Sequence, residues 1–296
     1  MLDTLLPHTG KAVRLGISGA PGVGKSTFIE AFGLHLLAAG HRVAVLAVDP
    51  SSSRSGGSIL GDKTRMEELA RADDAFIRPS PAGGTVGGVA RRTREAMLLC
   101  EAFGFDVVLV ETVGVGQSET AVDDMVDCFC LLISPGGGDG LQGIKRGIME
   151  LADLVVVTKA DGELANAAAH AAADYGHALQ LLRRKWQEWE PRVVRTSATT
   201  GVGVDEVWAT VSAHRELLTS TGELERRRRA QARAWLWSEV TGRLTAVFRL
   251  DPEVGRLLPQ LERAVVAGRL SPTTAAAQMV EAFRSGRSVP APNFVE

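Results

Sequence analysis

The stretch Gly19-Ala20-Pro21-Gly22-Val23-Gly24-Lys25-Ser26-Thr27 decides how this chain is read. It fits G-x-x-x-x-G-K-[ST], with the apolar run Val13 to Ser18 before it and a helical pattern, Lys25 to Ala39, after it. Glycines let the backbone curl with its N–H groups pointing at a phosphate, and the following helix contributes the positive end of its dipole. In such a loop Lys25 reaches the terminal phosphates and Ser26 ligates magnesium, while Gly19, Gly22, Val23, Gly24 and Thr27 complete the cradle. A nucleotide polyphosphate is the expected ligand.

Working outward, further apolar runs read as strands: Arg42 to Val48, Asp106 to Glu111, Asp127 to Ser134, Leu154 to Thr158 and Val193 to Thr196. Between them, Val89 to Phe103 and Leu164 to Trp189 carry apolar residues at spacings of three and four, as helices covering a sheet face do. Strands alternating with helices predict an α/β, doubly wound, mostly parallel sheet with ligands at the carboxyl ends of its strands. From about residue 220 the pattern turns to helices alone, Glu223 to Val247, Asp251 to Ala267 and Ser271 to Arg284. The expected organisation is a short extension over 1–11, a nucleotide-binding domain over 12–220, an all-helical appendage over 221–285 and a tail over 286–296.

The 296 residues include 33 Lys+Arg against 35 Asp+Glu, a balance that argues against nucleic acid as the principal partner. With 45% hydrophobic residues the chain can bury a sizeable core, yet no run reaches the about 18 apolar residues of a membrane span. No signal peptide is read at the start, and three cysteines make no disulfide framework, so a reducing cytoplasm is expected. Cys128 and Cys130 would share one strand face, as core or as half of a metal clip. The run Arg226 to Arg229 reads as a solvated or interface-lining face. Trp235, Leu236 and Trp237 form an apolar cluster, either packed within the appendage or against a second chain.

Three further segments complete a nucleotide site. Asp49, at the end of the second strand, and Glu111, at the end of the next, are carboxylates placed to face the metal. Thr112 to Gln117 is glycine-rich enough to sense a γ-phosphate, and Gln117 either orients the attacking water or is a plain loop residue. Thr158-Lys159-Ala160-Asp161 has the spacing of N-K-x-D, in which the Asp accepts two hydrogen bonds from guanine that adenine cannot donate. Lys159 would lay its stem over the base, and Ser197 and Ala198 form the second base-contacting loop. GTP is expected over ATP. Thr158 replaces the usual Asn, keeping a hydroxyl and losing an amide.

Taken with Gly57 to Met66, which contains Gly-Ser-Ile-Leu-Gly-Asp, and Pro135 to Lys145, which contains Leu-Gln-Gly-Ile-Lys, these segments resemble the MeaB/ArgK family of P-loop GTPases, of SIMIBI type. The resemblance covers nearly the whole chain. It implies a GTP-hydrolysing chaperone of an adenosylcobalamin-dependent acyl-CoA mutase, most often methylmalonyl-CoA mutase. An adenosyltransferase would be a second partner, with cobalamin held only by the partners. By matching position, Lys25, Asp62, Glu111 and Gln117 carry catalysis, Ser26, Asp49, Asp62 and Glu111 surround Mg2+, and Lys145 lies near the nucleotide in a third switch. The helices after residue 220 are similar to a dimerisation arm.

The sequence departs from the family at Gly140, where an acidic residue is usual, and in the short segment before the first strand, whose contacts would be absent or supplied by a partner. A nickel metallochaperone lacks its histidine-rich tract here, and a kinase acting on a transport protein would favour ATP against Asp161.

Overall fold

The computed structural model describes residues 2–48, 66–79, 86–112, 118–135 and 146–285. Among them, seven strands form one parallel sheet: β1 Val13–Gly19, β2 Val43–Val48, β3 Ala75–Arg78, β4 Val107–Thr112, β5 Cys128–Ile133, β6 Leu154–Val157 and β7 Arg192–Arg195, in the order β3-β2-β4-β1-β5-β6-β7. All pairs are parallel. β1, β2, β4, β5 and β6 are buried along their whole length, because helices cover both faces.

Alternation along each strand sorts the core into two layers. On one face Leu15, Ile17, Val45, Leu109, Cys128 and Cys130 pack with Phe28, Ile29, Phe32 and Leu36 of helix Lys25–Ala38 and with Val207 and Val211 of helix Val204–Ser220. On the other, Leu46, Val108, Val110, Phe129 and Leu131 pack with Val89 and Met97 of helix Val86–Ala102 and with Tyr175 and Leu179 of helix Ala165–Gln180. Both paired thiols are therefore core residues, and burial pushes their pKa values up.

Three differences from the sequence reading have local causes. β3 was missed because it is a four-residue edge strand whose Phe76 is exposed. The helix read to Trp189 ends at Gln180, because Lys185, Trp186 and Trp189 turn inward instead, all three donating to Asp153. The long helix Glu223–Leu250 begins within the sheet unit: the chain divides into Met1–Ala232 and Arg233–Glu296. Arg227 donates to the Asp123 carboxylate at 2.7 Å and to the Val126 carbonyl at 3.0 Å, and Arg228 holds Asp127 at 2.7 Å. Only Arg226 and Arg229 of that arginine run face solvent.

In the second unit, Asp251 caps helix Pro252–Val266 by accepting from Glu253 N and Val254 N at 3.0 and 3.1 Å. That helix packs Leu257 and Leu261 against Ala275 and Ala282 of helix Pro272–Ser285. Along Arg233 to Leu250, Trp237, Leu244 and Val247 are more than half exposed, as is Leu236.

Candidate nucleotide site

β1 lies in the middle of the sheet between β4 and β5, and the strand order reverses there, so its carboxyl end opens into a crevice. Gly19 ends β1 where any side chain would be excluded: a Cβ would stand 2.7 Å from the Leu132 carbonyl oxygen. Gly24, at φ +94°, caps helix Lys25–Ala38 in the left-handed region, which turns the chain from the loop into the helix at no steric cost. Lys25 folds back and donates to the carbonyls of Gly19 at 2.7 Å and Ala20 at 3.3 Å. Ser26 is half-buried and Thr27 exposed on the first turn.

The second cation on this loop comes from another strand. Lys159, immediately after β6, is the one non-glycine residue with positive φ among those described, at +54°. Such a conformation costs roughly 1–3 kcal/mol and persists where the surroundings fix it. Here they do: Ala160 N donates to Thr196 O at 3.0 Å, and Lys159 Nζ donates to Gly22 O at 2.9 Å. The Lys159 stem passes 3.8 Å from where a Cβ on Gly24 would sit.

Thr158 provides the tie that the sequence did not disclose. Its buried hydroxyl donates to Val23 O at 2.7 Å and lies 3.1 Å from Ile133 O. The hydroxyl kept in place of the amide thus joins the segment Thr158 to Asp161 to the glycine loop. The signal was present as a Thr at a position where a side-chain donor was needed; its acceptor was not readable.

Asp161 is half-buried in extended backbone at the start of the short turn Gly162–Leu164, and its carboxylate makes no hydrogen bond among the described residues. Across from it, Ser197 is buried in a closed turn: its N–H donates to Val202 O at 3.0 Å, its carbonyl accepts from Gly201 N at 2.9 Å, and its hydroxyl accepts from Thr200 N at 3.2 Å. Ala198, next along, is half-buried.

On the opposite side of β1, Glu111 is buried at 4% exposure, level with Ile17 of β1 and Ala47 of β2. One residue on, Thr112 donates to Ser18 Oγ at 2.8 Å, which fastens the ends of β4 and β1 together. The structure thus brings Gly19, Gly22, Val23, Gly24, Lys25, Lys159 and Thr158 into contact. It places Asp161, Ser197 and Ala198 at the ends of β6 and β7, and Glu111 at the end of β4. Asp49, Asp62, Gln117 and Lys145 lie outside the described residues.

Comparison with known proteins gives one consistent result. The family model for the methylmalonyl Co-A mutase-associated GTPase MeaB matches residues 1–253. A putative GTPase of Caulobacter vibrioides is 56% identical over 283 residues, covering 96% of this chain and 86% of that protein. The mitochondrial methylmalonic aciduria type A homolog of Mus musculus is 53% identical over 282 residues, covering 95% of this chain and 68% of that protein. Among solved structures, a LAO/AO transport system kinase matches at a TM-score of 0.74 and 43% identity, covering 96% of this chain and 85% of that one.

Proposed function

The chain belongs to the MeaB family of P-loop GTPases, and from that premise we propose that it hydrolyses GTP to GDP and phosphate as the chaperone of an adenosylcobalamin-dependent acyl-CoA mutase, one acting on methylmalonyl-CoA. The observation that carries the nucleotide half is the half-buried Asp161 carboxylate, without a hydrogen bond among the described residues. It belongs to a segment whose Thr158 and Lys159 are bonded to the phosphate loop. A carboxylate held in that segment can accept the paired N1–H and N2–H donors of guanine, a pair that adenine does not present.

The chain's own residues then divide the work. Backbone N–H groups of Gly22 to Ser26 hold the phosphates, and Lys25 exchanges its carbonyl partners for phosphate oxygens, which carry more charge. Ser197 and Ala198 line the base, under the Lys159 stem. Ser26 and the buried Glu111 supply hard oxygen donors at neighbouring element ends, a donor set that suits Mg2+, with Asp49 and Asp62 as further members of that shell. When bound, the ion neutralises charge shared between the β- and γ-phosphates. Gln117 orients the attacking water, and Lys145 reports nucleotide state to the mutase.

The mutase half is supported by the description of the family and by the name of the mouse relative. An adenosyltransferase is the second partner in this reading, and cobalamin stays with the partners. Residues 221–285 serve as a homodimerisation arm, supported by Trp237, Leu244 and Val247, exposed by 61%, 58% and 57% and spaced seven and three apart along one helix. Among the described residues no helix is long and apolar enough to cross a membrane. A cytoplasmic setting belongs to the same proposal.

The test is hydrolysis of GTP and of ATP with Mg2+, alone and with an adenosylcobalamin-dependent acyl-CoA mutase from the same organism. Slow GTP turnover that accelerates on adding the mutase is expected. GTP turnover indifferent to every such mutase would remove the chaperone half, and preference for ATP with phosphate passed to another molecule would turn the reading towards a kinase.

A further inference from the structure

We propose that Lys185 is a positioning residue for GTP hydrolysis, acting from the opposite end of the sheet. Its ammonium, 14% exposed, binds the Asp123 and Asp153 carboxylates at 2.8 Å each and the Leu151 carbonyl at 3.0 Å. Asp123 ends the helix Ser118–Asp123, which starts directly after Gln117. Asp153 and Leu151 follow the helix Arg146–Met149, which starts directly after Lys145. One side chain therefore fastens together the far ends of the two short elements that continue from segments 113–117 and 136–145.

The anchor for both is the sheet. Asp153 is wholly buried and accepts from Phe129 N of β5 at 2.8 Å and from Trp186 Nε1 at 2.7 Å, while Trp189 Nε1 donates to its carbonyl at 2.9 Å. Arg227 joins from the root of the long helix, binding the Asp123 carboxylate and carbonyl at 2.7 Å each. Two cations and two carboxylates balance, so the group is neutral as a whole. Buried ion pairs of this kind are poor sources of stability compared with apolar packing, and their best-attested use is to fix one arrangement among several. Here the arrangement is the spacing of the two helices. From Asp153 to Thr158, at the nucleotide end, is about 16 Å along β6 at ~3.3 Å per residue.

The inference rests on the reading that segment 113–117 senses the γ-phosphate and that 136–145 is a third switch near the nucleotide. Under it, loosening Lys185 disturbs hydrolysis and spares GDP, whose contacts are with the loop and base elements.

The experiment compares wild type with Lys185→Met, Lys185→Arg and Asp123→Asn by single-turnover GTP hydrolysis with Mg2+ and by binding of a fluorescent GDP. Lys185→Met is expected to slow the single turnover at least tenfold while GDP affinity changes less than threefold, and Lys185→Arg, which keeps the charge, to recover to within threefold of wild type. Asp123→Asn keeps the shape and slows hydrolysis too, so it decides the matter if Lys185→Met fails to fold. A folded Lys185→Met with the wild-type rate would overturn the proposal. Parallel loss of rate and GDP affinity without rescue by Arg would also do so, since that is the pattern of a purely structural residue. Absence of wild-type turnover would remove the hydrolysis reading and this proposal with it, whereas normal wild-type turnover beside unaltered variants removes this proposal alone.

Discussion

The two ends of the parallel sheet use their cations in opposite ways. At the carboxyl end Lys25 and Lys159 each donate to a backbone carbonyl of the glycine loop. At the amino end Arg14, Lys185, Arg227 and Arg228 are committed to the carboxylates of Glu101, Asp153, Asp123 and Asp127, at 2.6 to 2.8 Å. A carbonyl is a neutral acceptor, while a buried carboxylate partner is charged, fixes geometry and resists exchange. Carbonyl-bound and carboxylate-bound cations thus sit at opposite poles of one sheet. Breaking the carboxyl pole removes chemistry directly, whereas breaking the amino pole costs stability and reaches hydrolysis only through the two short helices that Lys185 fastens.

Asp153→Ala should give the largest effect. It takes one of two carboxylates from Lys185 and the acceptor from the Phe129 N–H in a buried site, so the unfolding free energy should fall by about 3–5 kcal/mol in denaturant titration. A loss under ~1 kcal/mol would mean that solvent reaches the cluster. Lys25→Ala is the counterpart at the other pole. Single-turnover hydrolysis should drop about 10²–10³-fold, as for removal of one preorganised donor to transition-state charge, with the thermal midpoint unmoved. If both quantities fell together there, the division between the poles would not hold. Thr158→Val tests the tie between the base segment and the loop: losing the hydroxyl that meets Val23 O should weaken GDP binding by roughly 1–2 kcal/mol, read from the GDP dissociation rate.

The smallest effect is a pH dependence at the amino pole. His214 is buried against Trp186 and Trp189 with neither ring nitrogen hydrogen-bonded among the described residues. Burial lowers its pKa from the ordinary 6.5, outweighing the pull of Asp153. The folded state therefore binds this proton less readily than the unfolded chain, so the stability tied to neutral His214 is complete above pH 6.5 and erodes as pH falls below it. The slope for one group cannot exceed about 1.4 kcal/mol per pH unit. His214→Phe should flatten denaturant midpoints across pH 5 to 6.5, and an unchanged slope would assign the effect elsewhere. Asp153 behaves differently: burial raises its pKa, but Lys185, His214 and Arg227 together hold it below the carboxylate norm. Its contribution persists until pH falls through that lower range.

The two poles were also unequally legible. The carboxyl pole is assembled from segments that each follow a strand, so Gly19 to Thr27, Glu111, Thr158 to Asp161 and Ser197-Ala198 could be read locally and fall at strand ends as expected. Five of the seven strands announced themselves as apolar runs because burial along their whole length demands it, and β7 was read through Val193 and Val194 although Arg192 and Arg195 are exposed. β3 did not, being short and on the edge. The amino pole gathers residues 123, 153, 185, 214 and 227, which share no local pattern and meet only through the sheet. Lys185 falls within the run Leu164 to Trp189 read as a helix, and Arg227 within the run read as a solvated or interface-lining face. Side chains that satisfy each other across long sequence separations leave no periodicity to detect.

The most direct test of the central claim, that the carboxyl pole is a guanine-nucleotide site read by Asp161, is calorimetric titration of the wild type and Asp161→Asn with GDP and with ADP in the presence of Mg2+. Wild type should bind GDP at least ~100-fold more tightly than ADP, and Asp161→Asn should lose most of that preference by weakening GDP alone, since one of the two oxygens that accept guanine's paired donors becomes an NH2 donor. Equal affinity for GDP and ADP in the wild type, or an undiminished preference in Asp161→Asn, would contradict the account.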